Sequence, residues 1–130
     1  AGGHAMWMNE SEPLLHFVFD KGVWHGSPWI APALFDAQAV APFPDAVIGR
    51  TPARIGNVHY GLTAWLECSP PATGCATLSS PGAFGFVPWL DRANGYYAIL
   101  GMHVPNDIAR EFAVALQREL KPLIEQALTR

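Results

Sequence analysis

Phe84-Gly85-Phe86-Val87-Pro88-Trp89-Leu90-Asp91-Arg92-Ala93-Asn94-Gly95-Tyr96-Tyr97-Ala98-Ile99-Leu100-Gly101-Met102-His103-Val104 is the stretch on which the fold turns. It holds two runs rich in aromatic and β-branched residues, separated by a cluster of turn-forming types. Asn94-Gly95 offers positive φ values for a reversal, so residues 84–104 read as an antiparallel hairpin. Pro88 has no backbone donor for a ladder, which places it at a bulge or on an open side of its strand.

Upstream, residues 57–68 alternate loosely, with Val58, Tyr60, Leu62, Ala64 and Leu66 on one face, and read as a strand. Ser69-Pro70-Pro71-Ala72-Thr73-Gly74 is a turn, and Cys75-Ala76-Thr77-Leu78 returns as a second strand. Downstream, Pro105-Asn106-Asp107 opens a helix in which Ile108, Phe112, Leu116 and Leu120 recur every four residues, continued by Leu123, Ile124, Ala127 and Leu128. Lys121-Pro122 predicts a kink or a new helical segment. At the other end of the chain, residues 9–22 read as a helix capped by Asn9 or Ser11, with Leu14, Leu15, Val18 and Phe19 as its apolar stripe and Gly22 as its left-handed stop. His16 on that helix reads as a partly buried polar residue. Val23-Trp24-His25-Gly26-Ser27-Pro28 is a turn, Pro32–Gln38 a brief second helix, and residues 40–54, with their prolines, a loop that covers a site or lies over the core. The expectation is an α+β domain: an antiparallel sheet of three to four strands with N- and C-terminal helices packed on it.

Composition bounds the possibilities. The chain has 130 residues, half of them hydrophobic and 15% charged, with a formal net charge of −3. That size fits one domain with an ordinary core. Without a run of like charge there is no nucleic-acid footprint, and no apolar stretch approaches a membrane span. Ala1-Gly2-Gly3-His4 has no features of a signal peptide, so the sequence is expected to be a piece of something longer. The five histidines (4, 16, 25, 59 and 103) lack ligand spacing. Cys68 and Cys75 bracket a turn and are either a disulfide across it or two reduced, packed thiols; a disulfide implies an oxidising compartment, periplasmic or secreted. Leu78-Ser79-Ser80-Pro81-Gly82-Ala83-Phe84-Gly85 sets two hydroxyls beside small residues at a strand end. It is either a plain bend or a place where a backbone N–H meets a ligand.

The order Ala1-Gly2-Gly3, a helix ending in Gly22-Val23-Trp24-His25-Gly26, Tyr60-Gly61-Leu62, Gly82-Ala83-Phe84-Gly85, Trp89-Leu90-Asp91 and Gly95-Tyr96-Tyr97 resembles the C-terminal part of the β-lactamase-related serine hydrolases. These comprise class C β-lactamases, penicillin-binding-protein-like enzymes and esterases. The resemblance covers residues 1–130 as a single partial domain of the β-lactamase/transpeptidase-like fold. It implies acyl transfer through a covalent serine, with a small ester or amide substrate and neither metal nor organic cofactor. The family's nucleophile motif Ser-x-x-Lys and its Tyr-x-Asn or Tyr-x-Ser are absent from the sequence, so the chain alone is expected to be inactive. The family's Lys-Thr-Gly or His-x-Gly motif aligns with Ser80-Pro81-Gly82. That makes Ser80, Pro81 and Gly82 substrate-binding and the N–H of Ala83 one oxyanion donor. Ser80 stands where the family carries a cationic or imidazole side chain, which favours a neutral substrate over a β-lactam carboxylate. The implied partner is the missing N-terminal part of the parent or a second copy. The competing reading is a self-contained α+β module that binds a small ligand or a protein in its Trp-rich clefts.

Overall fold

A computed structural model of the chain describes residues 8–51, 58–68, 74–102 and 107–130, with only the backbone for Met8 and Asp107. The first helix, α1, spans Met8–Phe19. It starts early enough that Asn9 and Ser11 lie inside it rather than at its cap, and Pro13 sits past the first turn. The chain leaves α1 through two left-handed residues, Lys21 (φ 51°) and Gly22 (φ 82°), the expected stop with one residue more than glycine alone requires. Val23–Trp24 (β1) and Ser27–Pro28 (β2) then pair as a small ribbon across His25 and Gly26, both at positive φ. Helix α2 covers Pro32–Gln38, as the sequence predicts, with Pro32 in its first turn; its Phe35 is buried. The loop that follows lies over the core at its start, where Ala39 and Ala41 are buried, and is largely exposed from Pro42 to Val47.

Five strands form the main sheet: β3 (His59–Tyr60), β4 (Trp65–Leu66), β5 (Thr77–Ser79), β6 (Val87–Asp91) and β7 (Tyr96–Leu100). They lie in chain order, each antiparallel to the next. The three or four strands expected become five, because the segment read as one strand is a hairpin. Gly61 N–H bonds the Ala64 carbonyl at 2.9 Å and reverses the chain there. A Cβ at position 61 would collide with the Gln38 carbonyl, so glycine is needed for a close approach between segments far apart in sequence. The reversal exposes Tyr60 and Leu62 and buries Leu66 completely. Asn57 and the turn residues 69–73 lie outside the described residues.

The β6–β7 hairpin matches its prediction with a different turn. Only Gly95 has positive φ; the other reversal contacts come from Asp91, whose carboxylate accepts from the Ala93 and Asn94 amides at 3.0 and 3.1 Å. Pro88 sits in an interior strand but beyond the last β5 rung. Its carbonyl accepts from Ser80 N–H at 3.1 Å, and its missing donor faces the same place, where the β5 ladder has ended.

The sheet is sandwiched. On one face Leu66, Leu78, Leu90 and Tyr97 pack with Leu15, Val18 and Phe19 of α1. Leu14 belongs to no such stripe; it is 52% exposed. On the other face Val87, Trp89, Tyr96, Ala98 and Leu100 meet Ala113, Val114 and Ile124 of α3, which spans Asp107–Leu128 unbroken through Pro122. Burial of each larger apolar side chain contributes roughly 1.5–3 kcal/mol before entropy. The buried face of α3 is not the expected stripe. Ala109, Ala113, Val114 and Gln117 are the buried positions, whereas Ile108 and Phe112 are 74% and 60% exposed. Small residues let the helix backbone sit close to the sheet, while Ile108 and Phe112 point away from it.

Candidate functional site

Ser80, Pro81, Gly82 and Ala83 share one turn between β5 and β6. Ser80 N–H bonds the Pro88 carbonyl, Gly82 N–H bonds the Phe86 carbonyl at 2.8 Å, and Gly85 N–H reaches back to the Gly82 carbonyl at 3.3 Å. Gly85 is left-handed (φ 84°) and abuts the Met102 side chain and the Ala109 carbonyl, so the far side of the turn rests on the first turn of α3. At the near side Ser79 is 2% exposed, in register between Trp65 and Trp89, and its hydroxyl has no partner among the described residues. Between these anchors Ser80 and Ala83 are exposed and Pro81 and Gly82 half-buried. The Ala83 N–H makes no hydrogen bond among the described residues. A free amide on a turn pinned at both ends can donate to an anionic oxygen without first breaking another bond.

Two apolar clefts open elsewhere, on the side of α1 and α2. Pro13, Leu14, Phe17, Trp24 and Trp29 line one of about 260 Å³. Ile30, Leu34, Phe35, Gln38, Leu62 and Thr63 line a second of about 160 Å³. Ser80–Ala83 line neither.

The groups that seat α1 were not apparent in the sequence. Arg92, in the β6–β7 turn, donates to the Phe19 and Val18 carbonyls at 3.2 and 2.7 Å, closing the C-terminus of the helix. Burial lowers its pKa below the ordinary arginine value, and Asp36 partly opposes that. Tyr97 donates to the Glu12 carboxylate at 2.6 Å and stacks on His16 at 5.6 Å. The hydrogen bond to Glu12 is the largest influence on the phenol, with burial second, and its pKa is pushed up to about 12. His16 is not a partly buried residue: its side chain is 49% exposed and pairs with Asp20 at 2.9 Å. Tyr97 thereby ties the sheet to α1 through both Glu12 and His16.

Cys68 and Cys75 are disulfide-bonded, with Cα atoms 5.8 Å apart. Cys75 is buried, and its N–H bonds the Ala39 carbonyl at 2.7 Å, tying the bridge to the end of α2. No group of three His, Cys, Asp or Glu among the described residues could hold a metal ion, and no helix among them is long and apolar enough to cross a membrane.

No family model matches the chain, and neither does any curated protein. Among solved structures it is similar to a crystal structure from Bacteroides dorei DSM 17855 described as a "putative beta-lactamase", with a TM-score of 0.65 and 20% identity. The superposition covers 83% of this chain and 38% of that one, so the chain spans well under half of the protein it matches. The sheet, the helices on its two faces and this likeness together give the chain a β-lactamase-like fold.

Proposed function

We propose that the chain is the C-terminal segment of a serine hydrolase that cleaves a small ester or amide by acyl transfer. In that reaction a serine Oγ adds to the substrate carbonyl, the alcohol or amine leaves, and water hydrolyses the acyl-enzyme. This segment supplies a cleft wall: the turn Ser80–Ala83 faces the substrate, and the Ala83 N–H donates to the oxyanion of the tetrahedral intermediate. Ser80, being neutral, offers no charge partner to a substrate carboxylate, which favours an uncharged acyl group. The nucleophile and its activating lysine and tyrosine belong to the remainder of the parent, since no Ser-x-x-Lys or Tyr-x-Asn occurs in the sequence.

The observation that carries the reading is the β-lactamase-like fold matched over 83% of the chain but only 38% of its neighbour. The 130-residue chain, incubated with a fluorophosphonate and with a fluorescent penicillin, is expected to form no covalent adduct by intact mass. The longer reading frame is expected to encode Ser-x-x-Lys and Tyr-x-Asn upstream and to label with one of the two. An adduct on any serine of this chain, or a parent frame without those motifs, refutes the proposal.

A second reading has one observation in its favour. The cleft lined by Phe17, Trp24 and Trp29 is almost wholly apolar and shallow, which suits a binding module for an apolar ligand. Quenching of tryptophan fluorescence by a short-chain fatty acid or an aromatic ester, lost in Trp29→Ala, is the result that favours it over the hydrolase segment.

A further inference from the structure

The smaller apolar cleft lies at the same end of the sheet as the Ser80–Ala83 turn. Trp65 of β4 pairs with Ser79 of β5. One step past that rung Ala64 falls opposite Ser80, and the Leu62–Thr63 tip of the β3–β4 hairpin lies just beyond. Neighbouring strands sit ~4.8 Å apart, which makes this tip the turn's neighbour. The two also share a face. Leu78 is buried in the cluster packed on α1, and so are Ala64 and Ala39, the residue after α2. Ser80 N–H still bonds Pro88, so the strand alternation carries through to it and sets Ser80 on the face that bears α1, α2 and the cleft.

The cleft's two walls are held by contacts of their own. Gln38 Nε2 donates to Thr63 Oγ1, and the Gln38 carbonyl backs onto Gly61, which joins the end of α2 to the hairpin tip. On the other wall Gly22 lets Ile30 and Phe35 close on the end of α1, and Lys21 Nζ pairs with Asp36 at 2.6 Å. The cleft is therefore formed before a ligand arrives. None of its lining side chains is ionisable, and Leu34 and Leu62 leave apolar surface on both walls. Its volume is about 160 Å³; an apolar cavity of about 150 Å³ accommodates benzene.

We propose that this cleft is the acyl-chain subsite of the candidate site. It takes the apolar end of an uncharged ester or amide whose carbonyl oxygen rests on the Ala83 N–H, an assignment that builds on the acyl-transfer reading. The geometry also sets the length of the acyl group. From Ser80 to Ala83 the backbone spans at most about 10 Å, at ~3.3 Å per residue, and the cleft begins one strand spacing to the side of Ser80. Several methylenes bridge that interval, and a phenyl ring or the end of an alkyl chain fills the cleft. Binding remote from the reacting carbonyl holds it in place for attack. Each methylene seated in such a pocket is worth about 10-fold in kcat/KM.

Titration of the isotope-labelled 130-residue chain with methyl 4-phenylbutanoate, followed by NMR, tests it, with methyl acetate as the short-chain comparison. The phenylbutanoate is expected to move the Leu34, Thr63 and Ala83 amide signals along one saturation curve, and methyl acetate at the same concentrations to move none. Leu34→Asp puts a carboxylate into the cleft at a first-turn helix position that tolerates acids. It and Leu62→Ser, on the other wall, are each expected to raise Kd at least about 10-fold; Trp29→Ala, in the larger cleft, leaves Kd unchanged. Should one variant fail to fold by circular dichroism, the other decides. In the longer parent, Leu34→Asp is expected to lower the ratio of kcat/KM for p-nitrophenyl hexanoate over the acetate about 10-fold. No binding, movement of Ala83 without the cleft signals, or binding lost only in Trp29→Ala overturns the subsite. So does a parent ratio that Leu34→Asp leaves unmoved, which means that the rest of the parent covers the cleft; a parent that still labels with a fluorophosphonate then keeps acyl transfer. An ester seated in the cleft of a chain whose parent lacks Ser-x-x-Lys keeps the binding site and removes acyl transfer instead.

Discussion

Glu67→Ala is the substitution that most directly tests how α3 sits on the sheet. Glu67 follows β4, is 13% exposed, and accepts from Lys121 Nζ, itself 16% exposed, and from Gln117 Nε2 at 3.3 Å. Gln117 is 1% exposed. Truncating Glu67 leaves a mostly buried ammonium without its counter-ion, which costs about 3–5 kcal/mol in comparable pairs. A buried amide that has lost its acceptor adds about 1 kcal/mol. That is a large fraction of the ~5–15 kcal/mol by which such domains are stable. Glu67→Leu combined with Lys121→Leu removes both charges at once, and is expected to be neutral or stabilising by a few kcal/mol. Urea unfolding followed by tryptophan fluorescence and far-ultraviolet circular dichroism gives all three stabilities on one scale. Should Glu67→Ala cost less than about 1 kcal/mol, with the double variant no more stable than the single, Gln117 and Lys121 do not face the β4 side.

Two further outcomes follow from the geometry. Reducing Cys68–Cys75 opens a loop of about eight residues and is expected to lower stability by about 2.5 kcal/mol on the chain-entropy account; urea midpoints with and without reductant measure it, and an unchanged midpoint contradicts a formed bridge. Tyr97, donating to Glu12 with its pKa raised to about 12, contributes stability that is complete below the ordinary tyrosine value near 10 and is lost as pH rises from there through about 12. An ultraviolet difference titration should show a late component that disappears in Tyr97→Phe.

The sequence made some elements legible and concealed others, and the division has a physical basis. Helix α2, the β6–β7 hairpin and the stop of α1 are set by local chemistry: a proline at the first helical turn, Asp91 and Gly95 at a reversal, a left-handed glycine. The hairpin at Gly61 depends instead on the Gln38 carbonyl, a contact between distant segments that no local pattern announces. For α3 the rule that the largest apolar residues face inward misleads. The helix seats on Ala109 and Ala113, whose small side chains permit close approach, while a buried Gln117 and half of an ion pair fill the β4 side. Periodicity locates an apolar stripe but does not say whether the stripe meets the chain's own sheet or another surface.

The same division governs the candidate site. That Ser80, Pro81, Gly82 and Ala83 form one connected unit is visible in their adjacency; what holds them is not. Ser79 is buried between two tryptophan positions on one side of the turn, and Gly85 lies against α3 on the other. A backbone donor acts on a developing charge only if it is already in position, because any rearrangement subtracts from the stabilisation it offers. Anchoring both ends of a short turn is how a chain achieves that with an amide that belongs to no helix. On the proposed reading the labour is divided: this segment fixes an electrostatic contact typically worth about 10²–10³ in rate, and the rest of the parent brings the nucleophile, whose loss alone costs about 10⁶. On that reading a donor without a nucleophile performs no turnover, which is why the isolated chain is expected to be inactive.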